Sequence, residues 1–542
     1  MAEPIKLADT GLELVAEADD VHGPDQLVPG FGNTMRDGIG VRAGRGGVDV
    51  AVVGGLIVDP LLGVRYASLG IDDGRIVSIG RAGNPDTTDG VDVVLGPQTA
   101  VFDATGLIVT PGAVDTHVHW LSPQVADNLL AGGVTTMVSQ DYGPVWNLGT
   151  GPAAGLDLAW AALDSVPLNA ALLVRGSSVD PEPVADSLRA GGAGLKIHED
   201  VGAGPGQIDS ALKLCDAFDV QLAIHTDGLN EVLDVAGTLA AFAGRTVHCF
   251  HIEGAGGGHA PDLLSLAGRE RILTSSTTPT IPFGIDTVAE HEAMVAAVHV
   301  LEPGRVLGDK QAAHARVRPA TMAAEGVLHD LGLIHMVSSD SQGMGRAGEV
   351  LRRAIQNAAV MKQARGRGDD TGLADNERVL RHVAKATINP AVAHGLSHDV
   401  GALTVGRVAD CVLWRPENFA VRPELTLKMG MPVWGAAGDG NAVTMLCEPV
   451  VVGQQVGALG AAPAQVSIAF VAEAALEADL ATDRPRSAVS GCRDVTAADM
   501  VRNTSLADVA VSADGTEVTV DGERVGIEPV ESVPLGRRHL LG

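Results

Sequence analysis

Cysteine is scarce in this 542-residue chain, aromatic residues make up only 3% of it, and positive charge falls well short of negative. The five cysteines (Cys215, Cys249, Cys411, Cys447 and Cys492) are scattered and odd in number, with no C-x-x-C pair. That excludes a disulfide framework and a cysteine-bound structural zinc, and predicts reduced thiols in a cytoplasmic protein. With few aromatics and much Gly, Ala and Val, the core must be aliphatic and closely packed. The formal net charge of −29 argues against nucleic-acid partners and anionic membranes. No apolar run is long enough for a membrane span. The first residues, "MAEPIKLADTGLELVAEADD", lack a basic segment followed by an apolar one, so no signal peptide is expected. There are no internal repeats and no low-complexity linkers.

What is present is a large apolar fraction, 46%, arranged in changing periods. Residues 1–111 read as β-rich: "VDVAVVGGLIVDP" and "ASLGIDDGRIVSIG" are short Val/Ile runs punctuated by Gly, Asp and Pro. Over 112–394, apolar runs such as "NAALLVRG", "VQLAIHTD" and "TVHCFHIEG" alternate with helical stretches such as "IDSALKLCDAFD". Repeated β–α alternation predicts a (β/α)8 TIM-like barrel, with a doubly wound sheet as the alternative. Residues 395–425, with "DVGALTVGRVADCVLW", return to β character and are expected to rejoin the first β-rich domain. Residues 426–542 read as a C-terminal α+β segment with no assigned chemistry.

In such a barrel, catalytic groups come from strand ends. "GLIVTPGAVDTHVHW" ends in His117 and His119. Their i, i+2 spacing aims both imidazoles the same way, as two ligands of one ion require. A lone strand histidine is ordinarily a satisfied core residue; this pair is in phase, with Asp115 close by. Further runs end in His225, His251 and Asp340. His248 falls on the opposite strand face from His251 and reads as structural, while His259 reads either way. A strand-end H-x-H followed by two more strand-end histidines and an aspartate predicts a metal site.

"GLKIHED" puts Lys196 and His198 on one strand face, with Asp200 next along. The ordinary reading of Lys196 is an ion pair with Glu199 or Asp200. Beside metal ligands, however, an ammonium offers no acceptor and repels cations. A desolvated lysine amine reacts with carbon dioxide, and the resulting carbamate has two oxygens, one for each of two ions. The histidines and the aspartate are enough for two ions but lack such a bridge.

At this point the residues resemble the amidohydrolase superfamily and, within it, the urease alpha-subunit family. "GLKIHED", "GRTVHCFHIEGAGGGHAPD", "VLHDLG", "SSDSQGMGR", "TINPAVAHG", "LADT", "RDGIG" and "GNPDTTDGVD" carry the resemblance over almost the whole chain. It implies a urea-hydrolysing enzyme with two nickel ions bridged by a hydroxide. One ion would be held by His117, His119, carbamylated Lys196 and Asp340, the other by Lys196, His225 and His251. By the same resemblance His198 would bond the urea carbonyl, and His299, on a mobile flap, would be the general acid. Asp200 and Arg316 would position His299. Beta and gamma subunits, metallation accessory proteins and an oligomer of heterotrimers are implied as partners. The donor types alone would also accept zinc, iron or manganese.

The chain departs from the family pattern near the expected pocket. Val298 and Val300 flank His299 where the family has Cys and His. A rewritten loop carries Tyr142 and Trp146. Gly343 replaces an alanine, which is expected to enlarge the pocket. These changes leave open an alternative substrate: another small amide, an amidine or a cyclic imide.

Overall fold

Eight short apolar runs become eight parallel strands: β1 (Ala113–Trp120), β2 (Val134–Tyr142), β3 (Asn169–Arg175), β4 (Gly194–His198), β5 (Gln221–His225), β6 (Val247–Cys249), β7 (Ile272–Thr277) and β8 (Met336–Ser338). In this computed structural model they pair in sequence order from β1 to β8. Residues 3–21, 36, 38–120, 122–142, 150–151, 153–199, 203–227, 235–254, 260–298, 311, 314–366, 373–437 and 451–536 are described. Trp146, Asp200, His259, His299, Val300 and Cys447 lie outside them, as do the side chains of Tyr142 and Val298.

A doubly wound sheet would reverse its strand order at a switch point. Here the order never reverses, and the two ends meet. Ser341, just past β8, donates its N–H to the His117 carbonyl (3.3 Å) and accepts from the His119 N–H (3.2 Å). The array is therefore a closed (β/α)8 barrel.

The barrel strands are buried on both faces, as parallel strands covered by helices must be. In β4, Leu195 and Ile197 join the apolar cluster that includes Ala211 and Leu212 of helix α4 (Pro205–Phe218), while Lys196 and His198 alternate with them and are also buried. Each fully buried Leu or Ile contributes about 1.5–3 kcal/mol relative to exposure. Gly194 opens β4 because a Cβ there would come within 2.9 Å of the Gln221 carbonyl on β5. Helices α1 (Gln124–Ala131), α2 (Ala153–Leu163), α3 (Glu182–Arg189), α4 and α5 (Val235–Phe242) follow the first five strands in turn. A 3-10 turn, Leu263–Leu266, follows β6. After β7 come α6 (Thr287–Val298) and α7 (Pro319–Asp330), the latter with proline in its first turn, where a missing N–H costs nothing.

A second, ten-stranded sheet lies outside the barrel. In it Ile108–Pro111 pairs parallel with Val50–Asp59 and antiparallel with Cys411–Trp414, which leads on to Leu425–Lys428, Met431–Ala437 and Val451–Gln454. Ala469–Val471 adds to the barrel's β3 in parallel. A three-stranded antiparallel sheet spans Val509–Arg524.

One buried polar hub ties these layers together. Lys428 Nζ pairs with Asp410 Oδ2 and donates to the Thr135 carbonyl (3.2 Å). Asn169 Nδ2 donates to Asp410 Oδ2 (2.7 Å), and the Met429 N–H to its Oδ1 (2.9 Å). The Asp410 carbonyl accepts from the Gly112 N–H (3.0 Å), one residue before β1.

Candidate metal centre

Closure of the barrel decides what β1 faces. Because Ser341 bridges to His117 and His119, the preceding Asp340 lies against both imidazoles. His117 Nε2 and His119 Nε2 are 3.2 Å apart, and Asp340 Oδ1 is 3.3 Å from the first and 3.2 Å from the second. All three side chains are buried. Three ligand atoms at about 2.1 Å from one ion, at right to tetrahedral angles, stand roughly 3.0–3.4 Å apart. The donor set, two imidazoles and a carboxylate, suits a divalent transition metal. These residues fit a metal ion.

The electrostatics agree. Burial pushes the His117 and His198 imidazoles well below their ordinary pKa, and the nearby Lys196 adds to both shifts. Burial likewise lowers His251 to about 4, against the opposing pull of Asp340. Burial alone would raise the Asp340 carboxyl, but His117, His119 and His251 together hold it below the usual carboxylate range. At neutral pH His117 and His251 therefore present neutral imidazoles beside an anion, the state in which imidazole and carboxylate ligate.

A second group of side chains continues around the mouth. β4 and β5 run in register, and their last pair is His198 with His225. The two rings stack at 3.6 Å between centroids, 18° from parallel. His225 meets the edge of His251 at 4.4 Å, and His251 lies 5.7 Å from His117. Lys196 is fully buried, its Nζ 4.3 Å above the Phe250 ring. Arg316 is buried just ahead of α7.

His251 and Asp340 share an uncommon backbone. Their φ values are +34° and +55°, in a region non-glycine residues rarely enter. Both follow a strand by two residues, where the chain must turn to aim the side chain over the barrel mouth. Such strain is held in place by surrounding contacts. Asp115 supplies one: its Oδ1 accepts from the N–H groups of Ser339 (2.9 Å) and His117 (3.2 Å), tying the β8 exit to β1. Burial raises this carboxyl to about 6, against those same hydrogen bonds.

Sequence reasoning placed His248 apart from the site, and there it lies. Its Nδ1 is 3.0 Å from His394 Nε2 and its Nε2 3.0 Å from Ser275 Oγ. The expectation that Gly343 enlarges the pocket is corrected. A Cβ at that position would fall 2.3 Å from Asp340 Oδ1 and 3.2 Å from His119 Cδ2. The space freed by the missing methyl is filled by the carboxylate.

Phe250 was missed. It stacks on His117 at 4.0 Å, 24° from parallel, and meets the edge of His248 at 4.6 Å. Strand periodicity pairs residue 250 with 248 and away from 251. β6 ends at Cys249, so that rule lapses one residue too early to place the ring.

The comparisons with known proteins bear on the same residues. The Amidohydrolase family model matches residues 108–443, and the model for the N-terminal domain of the urease alpha-subunit matches residues 1–102. Urease subunit alpha 1 of Streptomyces avermitilis is 49% identical over 99% of this chain and 97% of its own length. Urease subunit alpha of Natronomonas pharaonis is 44% identical over 100% of this chain and 97% of its own length. Among solved structures, dihydropyrimidinase from Brevibacillus agri shares the fold at 14% identity, with a TM-score of 0.50 over 71% of this chain and 94% of that one. The chain therefore belongs to the urease alpha-subunit family, a branch of the amidohydrolases.

Proposed function

We propose that the chain is the catalytic subunit of a urease, hydrolysing urea to ammonia and carbamate at a dinuclear metal centre in the barrel mouth. The observation that carries this reading is the convergence of His117 Nε2, His119 Nε2 and Asp340 Oδ1 within 3.3 Å of one another, in a chain that matches urease alpha subunits over nearly its whole length. His117, His119 and Asp340 would hold one ion and His225 and His251 the other, with Lys196, as a carbamate, shared between them. The metal is nickel in this proposal, with loading by accessory proteins and assembly with beta and gamma subunits in the cytoplasm. Such ions, when bound, would supply Lewis acidity that polarises a carbonyl and lowers the pKa of a water.

The chain's own groups do the rest. Urea is a poor electrophile with a poor leaving group, so binding must orient it and a proton must reach the departing nitrogen. His198, held flat against His225, donates from its ring to the urea carbonyl oxygen. His299 delivers the proton, with Asp200 and Arg316 holding its ring. General-acid help of this kind is worth about 10²–10⁴-fold. Arg316 is the member of that trio within the described residues, and its burial suits a fixed positioning charge.

The test is to measure bound metal and ammonia release from urea on the same purified, matured sample. Two ions per chain with urea turnover is the expected result. Two ions with no ammonia from urea would overturn the substrate, and turnover of a cyclic imide or amidine would then identify the related reaction. A matured sample without metal would overturn the centre itself.

A further inference from the structure

The parallel ladder between β4 and β5 stops at His198 and His225. A side chain supplies the next tie. Glu199 is fully buried, and its Oε2 accepts the Asp227 N–H at 2.6 Å. Its Oε1 accepts the Thr238 hydroxyl on α5, also at 2.6 Å. The tie continues outward, since Asp227 Oδ1 accepts the Ala260 N–H (3.3 Å) on the segment that follows β6. Burying a carboxylate is costly unless its hydrogen bonds are strong and several. Here both oxygens are engaged at short distances by groups on two different elements.

We propose that Glu199 is a positioning residue for the metal centre. It acts as a rung beyond the end of the ladder, fixing the spacing of the strand end that bears Lys196 and His198 against the one that bears His225. The stacked rings of His198 and His225 lie next to this tie. Outer-shell hydrogen bonds of this kind commonly set metal affinity about 10- to 100-fold. The inference rests on the dinuclear reading above.

The test uses the chain assembled with its beta and gamma subunits and loaded with nickel(II) and bicarbonate by the accessory proteins, with bound metal counted and its release into a chelator timed. Glu199→Ala is expected to lose one ion of the two, or to release it at least tenfold faster, while still unfolding cooperatively. Glu199→Gln keeps an acceptor for Asp227 and a partner for Thr238, and is expected to come within about threefold of wild type. Thr238→Val removes one donor with little change of shape and serves if the alanine variant does not fold; about three- to tenfold faster release is expected. Wild-type retention in Glu199→Ala or in Thr238→Val overturns the inference, as does a loss that Glu199→Gln fails to restore. A wild-type complex matured in this way that holds no nickel overturns the dinuclear reading instead, so the two failures are told apart.

Discussion

Lys428→Met tests how the barrel floor holds the start of β1 and so the two histidines it carries. Lys428 is fully buried and ion-paired with Asp410, which also accepts from Asn169 and the Met429 backbone. Methionine fills most of the lysine stem, so the change creates little cavity. It leaves Asp410, only 5% exposed, with neutral donors alone. Removing one partner of a buried pair costs about 3–5 kcal/mol, whereas replacing both by groups of similar shape is often near neutral. If the 542 residues unfold as one unit, the entropy of unfolding is roughly 1.1 kcal/mol/K, and the melting point should fall by roughly 3–4 °C. Asp410→Asn with Lys428→Met removes the unpaired buried charge and keeps an acceptor for the Met429 N–H, but turns an amide NH2 toward Asn169, so it should recover part of that loss. Scanning calorimetry of the wild type, both single variants and the double variant completes the cycle, with guanidinium rather than urea for any chemical denaturation. A double variant as unstable as Lys428→Met, or a single variant as stable as wild type, would refute the reasoning.

The same lysine gives a pH dependence. Burial lowers its pKa to about 8, against the opposing effect of Asp410, from an unfolded value near 10.5. Between those values the unfolded chain binds more protons than the folded one, so stability rises with pH. The penalty is fully present below about pH 8 and is relieved on the way to about 10.5; the wild-type minus Lys428→Met difference should climb by about 3 kcal/mol across that window, read from melting or guanidinium curves at a series of pH values. His248→Leu should separate structural from ligating histidines. It strands His394 and Ser275 and should cost about 1–3 kcal/mol for each buried group left unsatisfied, with the bound-metal count unchanged, whereas His117→Ala should lose metal.

The local patterns in the sequence were legible because they depend on nearest neighbours. A period of two put His117 with His119 and Lys196 with His198, and separated His248 from His251. Apolar runs ending in His225, His251 and Asp340 marked the strand ends, since a parallel strand under helices must be apolar on both faces until it reaches the mouth. Those patterns, with the resemblance in "GLKIHED" and "SSDSQGMGR", were sufficient for the barrel and for the candidate ligands. The contacts that position them were not legible, because each joins residues far apart in the chain. Asp340 meets His117 and His119 only because Ser341 closes the barrel onto β1. The use of the Gly343 space depends on where that carboxylate then sits. Phe250 reaches His117 past the end of its strand, where periodicity no longer speaks, and Glu199 ties Asp227 and Thr238 across three elements. Side-chain period is a property of one strand's own geometry, whereas ring closure and cross-strand ties exist only once all eight strands have packed.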